Sequence, residues 1–201
     1  LSAKHLEHLK KDKRLKKVIE KHGVLSTGKE KDLYFSLLRA IAGQQLSVKA
    51  AETIWERFLK LFKSGYPDPK AVLKMDVEKM RGAGLSYQKA GYLKNIAQFA
   101  VEKGLDFDHL NEKEDDDLIE YLVQIKGVGK WTVEMLLMFS LGRKDVFPKD
   151  DLGIQNGMRS LYGFEVETKK ELHATMDKIA EKWRPYRSLA CLYIWRHKDG
   201  D

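Results

Sequence analysis

The chain of 201 residues, 43% of them apolar, is long enough for one sizeable domain or two small lobes sharing a core. Its 37 Lys and Arg outnumber 30 Asp and Glu, and the resulting formal charge of +7 favours a polyanionic partner such as nucleic acid. The single cysteine, Cys191, excludes an intramolecular disulfide and any cysteine-ligated zinc or iron–sulfur centre, and no apolar run approaches the length of a membrane span.

Only four prolines interrupt the chain, and apolar residues recur every three or four positions along most of it, so the expected fold class is all-α. In chain order the spacing predicts helices over 6–22, 31–44, 47–62, 69–75, 77–82, 87–102, 112–125, 131–140, 151–162, 168–183 and 185–198. Gly23, Gly65, Gly104, Gly142, Pro148 and Gly163 punctuate the joints, and short connections favour antiparallel neighbours. The acidic run Glu114 to Asp117 opens a helix, where negative charge suits the dipole, so it reads as capping rather than metal binding. The charged opening Leu1 to Lys17 has no apolar signal segment after it. The expectation is a soluble protein with no membrane partner, cytoplasmic in a prokaryote or nuclear in a eukaryote.

The segment from Leu118 to Thr132 carries the most informative pattern. Leu118, Tyr121, Leu122 and Ile125 form an apolar stripe, Gly127-Val128-Gly129 makes a turn, and a second amphipathic helix opens at Lys130-Trp131-Thr132. This reads as a helix-hairpin-helix. Its glycines let the backbone approach a phosphate, and the amides that open the second helix point outward with the positive dipole end behind them. Such a turn grips DNA backbone without reading sequence. Gly127, Val128, Gly129 and Thr132 are the candidate contacts, flanked by Lys126 and Lys130 as phosphate partners. A Gly-x-Gly between helices is also an ordinary tight turn. A second one, Gly82-Ala83-Gly84, reads as such a turn or as a further backbone contact.

Beyond the hairpin, Gly142, Pro148 and Asp151 follow in that order. Together with Ala40-Ile-Ala-Gly-Gln-Gln-Leu-Ser-Val48 and with Trp183-Arg-Pro-Tyr-Arg-Ser-Leu-Ala190 running on to Trp195, this stretch resembles the helix-hairpin-helix and Gly/Pro–Asp superfamily of DNA glycosylases. Within that superfamily the resemblance is to the alkyladenine (3-methyladenine) branch. It implies one glycosylase domain over 1–201, two-lobed, with the active site in the cleft between lobes. The central lobe would span about 45–140 and end in the hairpin 118–140; the second would join about 1–44 to 141–201. The implied activity is that of a monofunctional, monomeric enzyme of base excision repair. It would act on double-stranded DNA containing damaged bases and hydrolyse off alkylated ones such as 3-methyladenine and 7-methylguanine.

A base inside a duplex cannot present its glycosidic bond, so such an enzyme must extrude the nucleotide, fill the gap and hold the base. The resemblance places the wedge in the loop Gly43 to Leu46, with Gln45 in the intercalating slot and Leu46 as the apolar alternative. Leu46 and Val48 also read as core. Trp131 and Trp195 match the base pocket, where an indole face attracts a cationic alkylated purine by roughly 0.5–2 kcal/mol. A tryptophan in a helical protein is otherwise plain core. As the base leaves, positive charge develops on the deoxyribose, and a nearby carboxylate stabilises it and orients water. Asp151 matches that position. Asp150 competes with it, either as the catalyst or as the helix N-cap.

Bifunctional relatives carry a nucleophilic lysine where this chain has Trp131, and Lys130 lies about 100° around the helix from that slot. Base release without strand cleavage is therefore expected. The resemblance further implies no required cofactor, and a Na+ or K+ ion held at the hairpin by the backbone carbonyls of Val123, Ile125 and Val128. It sets Arg184, Tyr186 and Arg187 beside the active site, the arginines pairing with carboxylate or with phosphate. Met135 and Leu152 stand where some relatives have aromatic residues, which implies a less aromatic pocket. His173 and His197 read as ordinary helix residues. Two rivals stay open: a noncatalytic helix-hairpin-helix DNA-binding module, and a glycosylase for mismatched or oxidised bases with a lyase step.

Overall fold

A computed structural model describes residues 3–25 and 31–200, and the first break from expectation falls at Asp12. The continuous helix predicted over 6–22 is instead α1 (Ala3–Leu9) and α2 (Lys13–His22). Asp12 Oδ1 accepts from the amides of Arg14 and Leu15 at 3.0 and 3.2 Å and so starts a new helix. Its Oδ2 accepts from the Tyr162 hydroxyl at 2.7 Å and the Trp183 indole at 3.3 Å, which anchors distant segments to the same cap.

The chain continues through α3 (Leu33–Gly43), α4 (Val48–Leu59), α5 (Pro69–Lys74), α6 (Val77–Gly82), α7 (Tyr87–Lys103), α8 (Phe107–Asn111), α9 (Asp115–Leu122), α10 (Lys130–Phe139), α11 (Leu152–Tyr162), α12 (Lys169–Ala180) and α13 (Arg187–Asp199). Among the described residues there is no strand, as an all-α chain requires. Side-chain caps set most starts: Ser47, Asp68, Asp76, Ser86 and Thr168 each accept from an amide two or three residues on. Asp106 does the same for α8, a helix that the apolar spacing did not reveal, and the stretch predicted as 112–125 narrows to α9. The helix expected to run to Trp183 ends at Ala180 and tightens into a 3₁₀ turn, Glu181–Trp183.

The chain divides into two compact units, Lys29–Leu136 and Leu1–Gly28 with Leu137–Asp201. In the central unit α7 packs against α3, α5 and α6, and α3 packs on α4. Leu37, Leu38, Ile41, Phe58, Met80, Leu93 and Ile96 are fully buried there, each such side chain contributing roughly 1.5–3 kcal/mol. These contacts group α3 with the central helices rather than with the terminal segments. Gly84, with φ of +106°, sits where a Cβ would lie 2.9 Å from Ile54 Cγ1, so the second Gly-x-Gly is a turn fixed by packing.

In the other unit α13 packs on α11 and α2 over a core that includes Trp183, Tyr193, Leu9 and Leu15. A close approach falls at Gly157 of α11, where a Cβ would stand 2.7 Å from the Ile194 carbonyl oxygen and 2.6 Å from Ile194 Cγ2. Only a residue without a side chain lets these two backbones come together.

Candidate active site

Asp151 is the N-cap of α11. Its backbone is extended (φ −69°, ψ 122°), and Oδ1 accepts from the Ile154 amide at 2.8 Å. The same oxygen accepts from Trp195 Nε1 on α13 at 2.9 Å. Two donors on one oxygen fix the rotamer, so a half-buried carboxylate is held ready rather than left to swing. The hydrogen bond depends on Gly153: a Cβ there would lie 2.9 Å from Trp195 Cδ1 and 3.0 Å from Asp151 Oδ1. Trp195 in turn stacks on Phe139, with ring centroids 6.1 Å apart and an interplanar angle of 28°. Asp150 is not the N-cap, a place that Asp151 takes; its exposed carboxylate pairs with Lys169 at 2.7 Å and faces His173 at 3.4 Å.

In the central unit the hairpin between α9 and α10 is braced from α7. Gly127 has φ of +107°, and a Cβ there would run into the Tyr92 ring. Asn95 Nδ2 donates to the Lys126 carbonyl at 2.9 Å, and Gln88 Nε2 donates to the Tyr92 hydroxyl at 2.7 Å. Gly129 is exposed, and a Cβ there would meet nothing within 4 Å. Val128 and Thr132, expected among the DNA contacts, turn inward with 4% and 3% exposure. The Val128 amide closes the turn on Ile125 O at 2.9 Å, and the Thr132 hydroxyl accepts from Gln44 Nε2 at 3.3 Å. The outward-facing members are Lys126, Gly129 and Lys130. Lys130 reaches only loosely toward buried Glu134, at 3.8 Å. Val133 N bonds Gly129 O at 3.2 Å, so the leading amides of α10 stand on the hairpin side with the positive end of its dipole.

Beside the hairpin lies an open cavity of about 980 Å³, within the size range of ligand sites. The loop Gly43 to Leu46, the α7 residues Gln88, Lys89 and Tyr92, and Trp131 with Met135 line it. Trp131 is 43% exposed and so is not core, unlike Trp183. Leu46 and Val48 are 38% and 78% exposed, which removes the core reading for both. Gln45 has φ of +57°, the one positive value among described non-glycine residues. Such a backbone costs on the order of 1–3 kcal/mol and persists only where its surroundings hold it.

Arg184 and Arg187 take the carboxylate option. Arg187 grips Asp145 through Nε at 2.8 Å and through its terminal nitrogen at 3.0 Å, and Arg184 reaches the same carboxylate at 2.6 Å. Sequence reasoning overlooked Gly153, Phe139 and Tyr92. Gly153 and Gly157 had a legible signal, two glycines four apart on one face of a helix that starts at the candidate aspartate.

A carboxylate presented at a helix start after a Gly/Pro–Asp stretch, together with a braced hairpin, defines the class. The chain belongs to the HhH-GPD superfamily of base excision DNA repair proteins, whose family model matches residues 38–185. It is 40% identical over 196 residues to DNA-3-methyladenine glycosylase 1 of Schizosaccharomyces pombe, covering 96% of this chain and 84% of that protein. The solved structure of the S. pombe 3-methyladenine DNA glycosylase in complex with abasic DNA is similar at a TM-score of 0.85 and 38% identity, covering 96% of both chains. A DNA-3-methyladenine glycosidase from Bacillus halodurans aligns at a TM-score of 0.83 and 35% identity, over 99% of this chain and 90% of that one.

Proposed function

We propose that this chain is a monofunctional DNA glycosylase of base excision repair. It binds double-stranded DNA as a monomer, everts an alkylated nucleotide such as 3-methyladenine or 7-methylguanine, and hydrolyses its N-glycosidic bond. The observation that carries the reading is the Asp151 carboxylate, held by the Ile154 amide and the Trp195 indole at the start of α11.

Cleavage of the bond between C1′ and the base nitrogen sends the electron pair out with the base and leaves positive charge on the sugar. A carboxylate about 4 Å away stabilises that charge by about 4 kcal/mol at an effective dielectric near 20, roughly a thousandfold in rate. Water then bonds to C1′, and Asp151 accepts its proton. Alkylation makes the base cationic, hence a good leaving group, so no strong acid is needed on its far side. The exposed indole of Trp131 supplies a face on which a cationic base stacks. Gln45 or Leu46, exposed on their loop, fills the gap.

Lys130 supports release without strand cleavage, since its ammonium is exposed and lies toward Glu134. The carbonyls of Val123, Ile125 and Val128 follow the end of α9, where helices leave acceptors without intrahelical donors. Ile125 O already takes the Val128 amide and has a second lone pair, so the set suits a Na+ or K+ ion beside a phosphate.

Methylated duplex DNA incubated with the wild-type protein should release free 3-methyladenine and 7-methylguanine, identified by mass spectrometry, while Asp151→Asn releases little. A purely DNA-binding module would release none in either case. Borohydride should trap no covalent complex, and trapping would instead favour the lyase.

A further inference from the structure

We infer that Lys89 is the positioning residue of the gap-filling loop: its ammonium, clamped on two main-chain carbonyls, holds Gln45 in the projecting conformation that base eversion needs. The inference rests on the glycosylase reading and extends it to a residue away from the reacting atoms.

The loop cannot hold itself. α3 ends at Gly43, and the last carbonyls of a helix have no intrahelical donors. The loop's own hydrogen bonds are long, Gln44 N to Ile41 O and Leu46 N to Gly43 O, both at 3.3 Å. Lys89, in the first turn of α7, donates to Ala42 O at 2.9 Å and to Gln44 O at 2.7 Å. These are charge-assisted contacts on the residues just before Gln45, whose positive φ needs outside support. Gln44 adds a second strut through its amide to Thr132 on α10.

The ammonium is half-buried against neutral oxygens, and burial pulls its pKa below the usual lysine value. Desolvating a charge to meet uncharged acceptors is a costly way to finish a helix that a glycine or an asparagine would finish as well. It makes sense where the loop must resist being pushed back by a base stack. A rigid wedge also loses less conformational freedom on entering the duplex than a mobile one.

The test uses Lys89→Met and Lys89→Arg. Duplexes carry a tetrahydrofuran abasic analogue with 2-aminopurine beside it, whose fluorescence rises when the loop unstacks it. A second pair of substrates carries 7-methylguanine in a paired duplex or in an unpaired bulge. Lys89→Met should lose most of the fluorescence rise, and its ratio of paired to bulged release rate should fall about 10–100-fold, as a misplaced positioning group does. Lys89→Arg should fall between it and wild type. The slope of log affinity against log salt should stay unchanged, whereas a phosphate contact would reduce it by about 1. An unchanged fluorescence rise, or equal losses on paired and bulged substrates, overturns the inference. Should Lys89→Met fail to fold, Lys89→Arg carries the same comparison. A wild-type protein that unstacks 2-aminopurine in a Lys89-dependent way yet releases no base would sink the enzymatic reading and leave this inference standing.

Discussion

The Trp195 indole donates its N–H to Asp151 Oδ1 at 2.9 Å, across the α11–α13 contact that Gly153 and Gly157 keep close. Trp195 was expected at the base pocket. The hydrogen bond gives it a further proposed task, orienting the carboxylate to which we assign hydrolysis. Trp195→Phe keeps a ring against Phe139 but removes the donor. Its single-turnover rate of base release should fall roughly 10–100-fold with DNA affinity little changed. A wild-type rate in this variant would reduce Trp195 to packing.

Asp151→Asn separates the two jobs of one side chain. The amide oxygen can still accept from Ile154, and asparagine is as good an N-cap as aspartate, so the melting temperature should stay close to wild type. Base release should drop by about 100–10,000-fold, because the negative charge and the proton acceptor are gone. Asp151→Ala should also lose about 1 kcal/mol of stability through the missing cap, read by denaturant titration.

Gly153→Ala and Gly157→Ala should both destabilise, by roughly 1–3 kcal/mol of overpacking. They should differ in activity. The new methyl at Gly153 meets Trp195 and Asp151 directly, while that at Gly157 meets the Ile194 backbone. Measured on the folded fraction, Gly153→Ala should slow base release more than Gly157→Ala, whose methyl reaches Trp195 only by displacing the α13 backbone at Ile194. Equal activities would mean that Trp195 absorbs the methyl without moving Asp151.

Lys126→Gln and Lys130→Gln should weaken binding to all duplexes alike, each lowering the salt slope by about 0.9. Both lysines are exposed on the hairpin, and Lys130 has only a 3.8 Å approach to Glu134 to give up. Affinity titrations at several salt concentrations check this, and a loss that depends on base sequence would contradict a backbone contact.

Much of the fold was legible because the apolar period and the caps agree. Val77–Gly82 matches the predicted span, and Tyr87–Lys103 runs one residue beyond it. Two of the misreadings share a cause. Asp12 and Asp106 each start a helix by binding amides, and neither disturbs the apolar spacing on which the prediction rests. At the site, residue type and order single out Asp151, Trp131, Gln45 and Leu46 as candidates, and exposure then decides against the core reading of Leu46. Lys89 could not. Its role depends on two main-chain oxygens more than forty residues earlier in the chain, and carbonyls leave no mark in a sequence.

Gly127 and Gly129 stand two residues apart in what looks like a single signature, yet they answer to different judges. The first is dictated from within, by the ring of Tyr92. A methyl group on the second would meet nothing within 4 Å, so packing leaves that position open for the proposed contact with DNA backbone. Substitution tolerance at neighbouring letters of this motif would therefore report folding at one and recognition at the other, and averaging the two would blur both.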